Sequence, residues 1–142
     1  KMATNLEIAK IYPGLPEYFD NCGRGLYPYL TGSASWYILT CLTQVFGIKP
    51  NFGDLVIQPK FVAQQFKDTA TASVSFNFAD KRFTIDFINN KKLSYPQYKI
   101  KKISIHGPKI IYKITGPQEI TIPRKSILNA SGGGINIKIG LG

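Results

Sequence analysis

Pro28-Tyr29-Leu30-Thr31-Gly32-Ser33-Ala34-Ser35-Trp36 is the stretch whose residue types are best suited to chemistry. Hydroxyls and a glycine gather where a helix is expected to begin. The first amides of a helix have no partner within it, and the macrodipole is positive there, so an oxyanion is welcome. The Thr31 and Ser33 hydroxyls can donate as well, and Gly32 admits a close backbone approach. The same residues also read as an ordinary helix cap. Elsewhere the candidates are few. The 142 residues include two Cys and one His, which excludes a cysteine-built zinc site and a disulfide framework. A self-contained catalytic triad would have to rest on His106, which stands before Gly107-Pro108 and reads as a turn residue. Cys22 and Cys41 read as free thiols, Cys41 as a buried one in an apolar run. Asp20, Asp54, Asp68, Asp80 and Asp86 fall in expected turns and strands and form no catalytic pattern.

The elements that must position these residues divide into two segments by charge. Residues 1–59 hold four bases against four acids. Residues 60–142 hold fourteen bases against four acids and so carry the whole excess of the +10 net charge. A hydrophobic fraction of 44% against 18% charged excludes disorder as the default. No apolar run approaches the roughly 18 residues of a membrane span, and residues 1–5 contain no signal-peptide core. The expected location is the cytoplasm. Met2 is the only Met and follows Lys1, so the chain reads as a piece of something larger or as one bearing a tag remnant.

In the first segment, residues 12–16 read as irregular backbone because Pro13 and Pro16 fix φ and remove donors. A helix is expected over Ser33–Phe46, opened by small hydroxyl residues and stopped by Gly47. Its apolar residues, Trp36, Tyr37, Ile38, Leu39, Leu42, Val45 and Phe46, surround it rather than forming one stripe. Such a helix expects burial on more than one side.

The second segment reads as short strands. Residues 54–58 form one, closed by Pro59. Period-2 alternation marks 69–78, with Ala70, Ala72, Val74, Phe76 and Phe78 on one face. It also marks 82–88, with Phe83, Ile85 and Phe87 together, and a turn at 79–81 makes the two a hairpin. A phase shift at Lys101-Lys102 within strand 98–105 suggests a bulge. Further strands are expected at 110–114, 119–122 and 135–139, with 131–134 a flexible loop lacking the features of a phosphate-binding loop. The fold class is mainly β, an antiparallel β-sandwich preceded by a loop and one long helix.

Several strings then occur in one order: Gly14-Leu15-Pro16-Glu17-Tyr18-Phe19, Gly23-Arg24-Gly25, Tyr29-Leu30-Thr31-Gly32-Ser33-Ala34-Ser35-Trp36, Phe46-Gly47-Ile48, and Gly53-Asp54-Leu55-Val56-Ile57-Gln58-Pro59-Lys60. This resembles the C-terminal end of glycoside hydrolase family 94, a family of inverting glycoside phosphorylases and cyclic β-1,2-glucan synthases. The β-1,2-oligoglucan phosphorylase-like branch is the nearest. Residues 8–66 carry the resemblance, and the β part shares only its pattern.

The resemblance implies an (α/α)6 barrel followed by a C-terminal β-sandwich. Residues 1–47 would be the end of the barrel, its last loop and helix, and residues 48–142 the sandwich. Thr31 and Gly32 would contact inorganic phosphate, the co-substrate, with no metal or organic cofactor. Ser33 and Arg24 would be further substrate or anion contacts, and Glu17 a contact to a sugar hydroxyl. Arg24 also reads as a surface or packing residue, and Glu17 as a structural carboxylate. The general acid, an Asp, would lie upstream in the barrel, and no residue here corresponds to it. This chain alone would be inactive. Its implied partners are the rest of the enzyme and a carbohydrate, with neither nucleic acid nor membrane. Bare helix faces would drive self-association.

Two other classes compete. A stand-alone carbohydrate-binding sandwich would use exposed aromatics, with Tyr95, Tyr98 and Tyr112 as candidates. A basic nucleic-acid-binding β-domain would use Lys91, Lys92, Lys99, Lys101 and Lys102 interleaved with Tyr95 and Tyr98. Those lysines also read as solubilising faces and edge guards.

Overall fold

The computed structural model describes Glu7, Pro16, residues 18–26 and residues 31–142, the side chains of Thr31 and Ser33 excepted. Its elements run β1 (Tyr18–Phe19), β2 (Gly25–Leu26), α1 (Thr31–Thr40), a π-helical turn (Cys41–Val45), β3 (Ile48–Asn51), β4 (Asp54–Ile57), a 3-10 turn (Ala63–Phe66), β5 (Thr71–Phe78), β6 (Lys81–Ile88), β7 (Ile100–His106), β8 (Lys113–Gly116), β9 (Glu119–Ile122), α2 (Arg124–Leu128) and β10 (Gly134–Leu141). The chain divides into two units, Lys1–Cys41 and Leu42–Gly142.

The first unit holds a small hairpin and α1. In the hairpin, Tyr18 pairs with Leu26 and Phe19 with Gly25. Its loop is built by Asp20, whose Oδ1 accepts the amides of Cys22 at 2.9 Å and Arg24 at 2.8 Å. An aspartate that bonds backbone two residues ahead is a standard turn-former. The helix begins at Thr31, two residues before the expected start, and leaves the α conformation after Thr40. Trp36, Tyr37 and Ile38 are 68%, 60% and 60% exposed. The irregular stretch expected at 12–15 lies outside the described residues.

In the second unit, mainly β structure forms two four-stranded sheets, ordered β5-β6-β10-β7 and β3-β4-β9-β8. Pairing is antiparallel except between β6 and β10, which run parallel. That pairing needs a long connection, which the chain supplies through β7, β8, β9 and α2. The expected alternation is realised. Phe83, Ile85 and Phe87 of β6 and Ile135, Ile137 and Ile139 of β10 share one buried cluster with Leu55, Ile57, Ile120 and Ile122 of the second sheet. The inner faces of the two sheets therefore supply a common core, the arrangement of a sandwich.

Four phenylalanines fill one end of that core. Phe61 meets Phe46, Phe66 and Phe87 at ring separations of 5.4, 5.2 and 5.1 Å, each edge-on or steeply tilted, the favoured geometry for aromatic pairs. Gly47 closes the π-helical turn with φ +70, and its carbonyl accepts the Gln58 amide at 2.9 Å. A Cβ there would lie 1.8 Å from the Gln58 carbonyl oxygen, so no side chain fits.

The bulge expected at Lys101-Lys102 is present. Gly140 pairs with Lys102 and Leu141 with Ile100, which leaves Lys101 of β7 unmatched. Other expectations need correction. The strand expected at 110–114 begins only at Lys113, because Ile110 is drawn into the core and the Ile111 amide bonds to Ser126 Oγ at 2.7 Å. The strand expected at 98–105 begins at Ile100 and ends at His106, so the turn starts at Gly107, φ +111. The loop 131–134 is anchored: the Gly133 carbonyl accepts the Arg82 amide and the Gly132 carbonyl accepts Lys81 Nζ, both at 3.0 Å. Cys41 is half-buried rather than buried, and both cysteines are free.

Candidate functional site

Thr31 and Gly32 occupy the first turn of α1 rather than a loop ahead of it, and Gly32 is exposed. Their amides are among the four at a helix start that find no carbonyl inside the helix. No acidic side chain lies in that turn, so nothing there opposes an anion on the positive end of the helix. Ser33 follows in the same turn. Arg24 is exposed at the end of the hairpin loop, with its backbone amide held by Asp20. Residues 27–30, which join Arg24 to α1, and Glu17 lie outside the described residues.

Three of the five aspartates that fit no catalytic pattern have structural work. Asp54 Oδ1 accepts the Arg124 amide at 2.8 Å and so caps α2 from the far end of β4. Asp86 accepts the Ser73 hydroxyl at 2.6 Å. Asp20 builds its own loop.

The aromatic trio does not assemble into a binding platform. Tyr98 is fully buried. Its hydroxyl donates to the Pro59 carbonyl at 2.7 Å and accepts the Phe61 amide at 2.9 Å. It thereby ties the chain just ahead of β7 to the Pro59–Phe61 segment. Burial pushes this phenol up to about 12, against a smaller lowering by the Phe61 amide. Tyr95 is at the edge of exposure and packs against Tyr98, ring centroids 6.3 Å apart. Tyr112 is half-buried beside the core.

Lys91, Lys92, Lys99, Lys101 and Lys102 are exposed, and Lys92 Nζ is tied to the Lys67 carbonyl at 2.8 Å. Among the described residues no group of three His, Cys, Asp or Glu is placed to hold a metal ion, and no helix is long and apolar enough to cross a membrane.

Sequence reasoning passed over the outward face of the first sheet. Cross-strand register sets Ser73, Asp86, Lys138 and Ser104 in one row, and Ser75, Thr84, Asn136 and His106 in the next. Ser75 Oγ and Thr84 Oγ1 are 3.0 Å apart. Period-2 alternation set Ser73 and Ser75 opposite the apolar face of their strand, and Thr84 and Asp86 opposite that of theirs, whereas His106 was expected in a turn. Their neighbours across strands depended on a sheet order that no local pattern carries.

No protein-family model and no curated protein matches the chain.

Proposed function

We propose that this chain is the C-terminal part of an inverting glycoside phosphorylase that cleaves β-glucosides with inorganic phosphate. The observation that carries the proposal is the opening of α1. The string of family 94 character runs into Thr31 and Gly32, and these residues start a ten-residue helix with Gly32 exposed.

In the proposed reaction a phosphate oxygen attacks the anomeric carbon from the face opposite the leaving sugar. The new carbon–oxygen bond forms as the glycosidic bond breaks. A carboxylic acid on the proposed upstream barrel gives its proton to the departing oxygen, and α-glucose 1-phosphate results. The part of this chain is to hold phosphate. Unpaired amides and the helix dipole offer it positive potential, and the absence of a side chain at residue 32 lets it approach. Thr31 and Ser33 would add hydroxyl donors, with Arg24 and Glu17 as further contacts. No metal or organic cofactor enters this scheme.

The exposed Trp36, Tyr37, Ile38 and Leu39 also support the reading. In it, residues 1–47 end an (α/α)6 barrel, whose other helices would cover them, and 48–142 form the support domain. The enzyme would work in the cytoplasm on carbohydrate. No specific observation favours the carbohydrate-binding module, whose candidate Tyr98 is buried, or the nucleic-acid reading.

The test is phosphorolysis of β-1,2-oligoglucans by the protein encoded by the full reading frame. Release of α-glucose 1-phosphate is expected, and Gly32→Val should raise the KM for phosphate about tenfold or more, as loss of charge-assisted contacts does. No phosphate-dependent cleavage of any β-glucoside tested would overturn the proposal.

A further inference from the structure

Three of the four outer strands of the sandwich are guarded against pairing with another chain, and β5 is not. β3 bears Lys49 and Pro50. β8 has four residues, Lys113 among them, and a break in register. β7 bears Lys101 and Lys102 and pairs across a bulge. Charge, proline, bulges and shortness are the devices that keep sheet edges apart. β5 is eight residues long, holds no charge, Pro or Gly, and runs in unbroken register with β6.

Its free side follows residue by residue from the turn. Ala79 and Asp80, both at positive φ, form a two-residue turn closed by Phe78 and Lys81, and such a closing pair exchanges backbone bonds. Ala72, Val74 and Phe76 keep the same phase, as does the Ala70 carbonyl, which accepts the Asn89 amide at 2.8 Å. The amides and carbonyls of Thr71, Ser73, Ser75 and Asn77 therefore point away from β6. Among the described residues, the Thr71 carbonyl alone is met there, by the Thr69 hydroxyl at 2.8 Å. On the inner face Ala72, Val74, Phe76 and Phe78 are only partly buried, whereas Phe83, Ile85 and Phe87 of β6 are fully so.

We infer that β5 pairs antiparallel with β5 of a second copy of this chain, about a two-fold axis at Ser75. The strand complements itself in this register, as a two-fold contact requires. Ala72 faces Phe78 of the other copy and Val74 faces its Phe76, small against large on the inner side. On the outer side Ser73 faces Asn77. Asp86 is in register with Ser73, and Arg82 with Asn77. Each of those two rows across the joined sheet therefore has a carboxylate on one copy and a guanidinium on the other. With the axis at Val74 or Phe76, Asp86 lines up with no arginine. β5 belongs to the second unit, so the pairing stands apart from α1 and from the phosphorylase reading.

The test is amide hydrogen exchange of the 142-residue chain at about 10 µM and about 1 mM, concentrations that bracket weak association. At the higher concentration the Ser73, Ser75 and Asn77 amides should exchange about fivefold slower or more. Association through α1 would leave them unchanged. Ser75→Lys sets two like charges at the axis and should remove the difference, with the unfolding temperature of the dilute chain unchanged. Ser75→Thr should keep it. The inference is overturned if these three amides exchange fast at both concentrations, if they are slow at both because another segment of the same chain covers the edge, or if Ser75→Lys behaves like the parent.

Discussion

The inner strands of the sandwich hide Phe83, Ile85, Phe87, Ile120 and Ile137 from solvent, whereas α1 leaves Trp36, Tyr37, Ile38 and Leu39 open to it. The two regions have similar apolar content and opposite outcomes. In strands, alternation sorts side chains by face, so two facing sheets close a core between them. In α1, apolar residues at successive positions point in every direction, and no single neighbour could cover them. The sandwich thus completes itself, and α1 is shaped for surroundings of its own, which the proposed barrel would provide.

The largest effect should come from the core. Phe61→Ala removes the ring that touches Phe46, Phe66 and Phe87 and is expected to cost about 3–5 kcal/mol. Denaturant unfolding would measure it, and a loss under about 1 kcal/mol would break the contrast with α1.

Next comes Tyr98. Its phenol titrates at about 12 in the folded protein, above the usual value near 10. The folded state therefore holds this proton after the unfolded chain has released it. The contribution is fully present below pH about 10 and is lost as pH rises through about 12, reaching roughly 2–3 kcal/mol. Tyr98→Phe should lack this alkaline component and also lose the bonds to Pro59 and Phe61. The readout is the difference between parent and variant in unfolding free energy across that window, and parallel curves would sink it.

A smaller gain is expected at the β3–β4 turn. Phe52 is fully exposed there at φ 48, a left-handed conformation that asparagine tolerates better. Phe52→Asn should stabilise the sandwich by about 0.5–1 kcal/mol.

The smallest effect should be at α1. Trp36→Gln is expected to move stability by no more than about 0.5 kcal/mol while reducing self-association in sedimentation. A loss comparable to that of Phe61→Ala would erase the distinction between the regions.

What could be read from the sequence follows the range of the forces involved. β5, β6 and β10 were legible because alternation is local, and the β7 bulge because a break in phase is local too. The parallel β6/β10 pair was not, since its partners are some fifty residues apart. α2 escaped notice because its cap comes from Asp54, about seventy residues earlier. Tyr98 misled because an amphipathic residue reads alike in a core and on a surface. At the proposed phosphate site, the helix start was legible to within two residues.

The most direct test of the central claim is the reading frame on the 5′ side of the Lys1 codon. The proposal predicts that it continues through a helical barrel of several hundred residues carrying an aspartate general acid, the length that such (α/α)6 architecture requires. A start codon at Met2 would contradict it and leave this chain a free-standing sandwich with an uncovered helix.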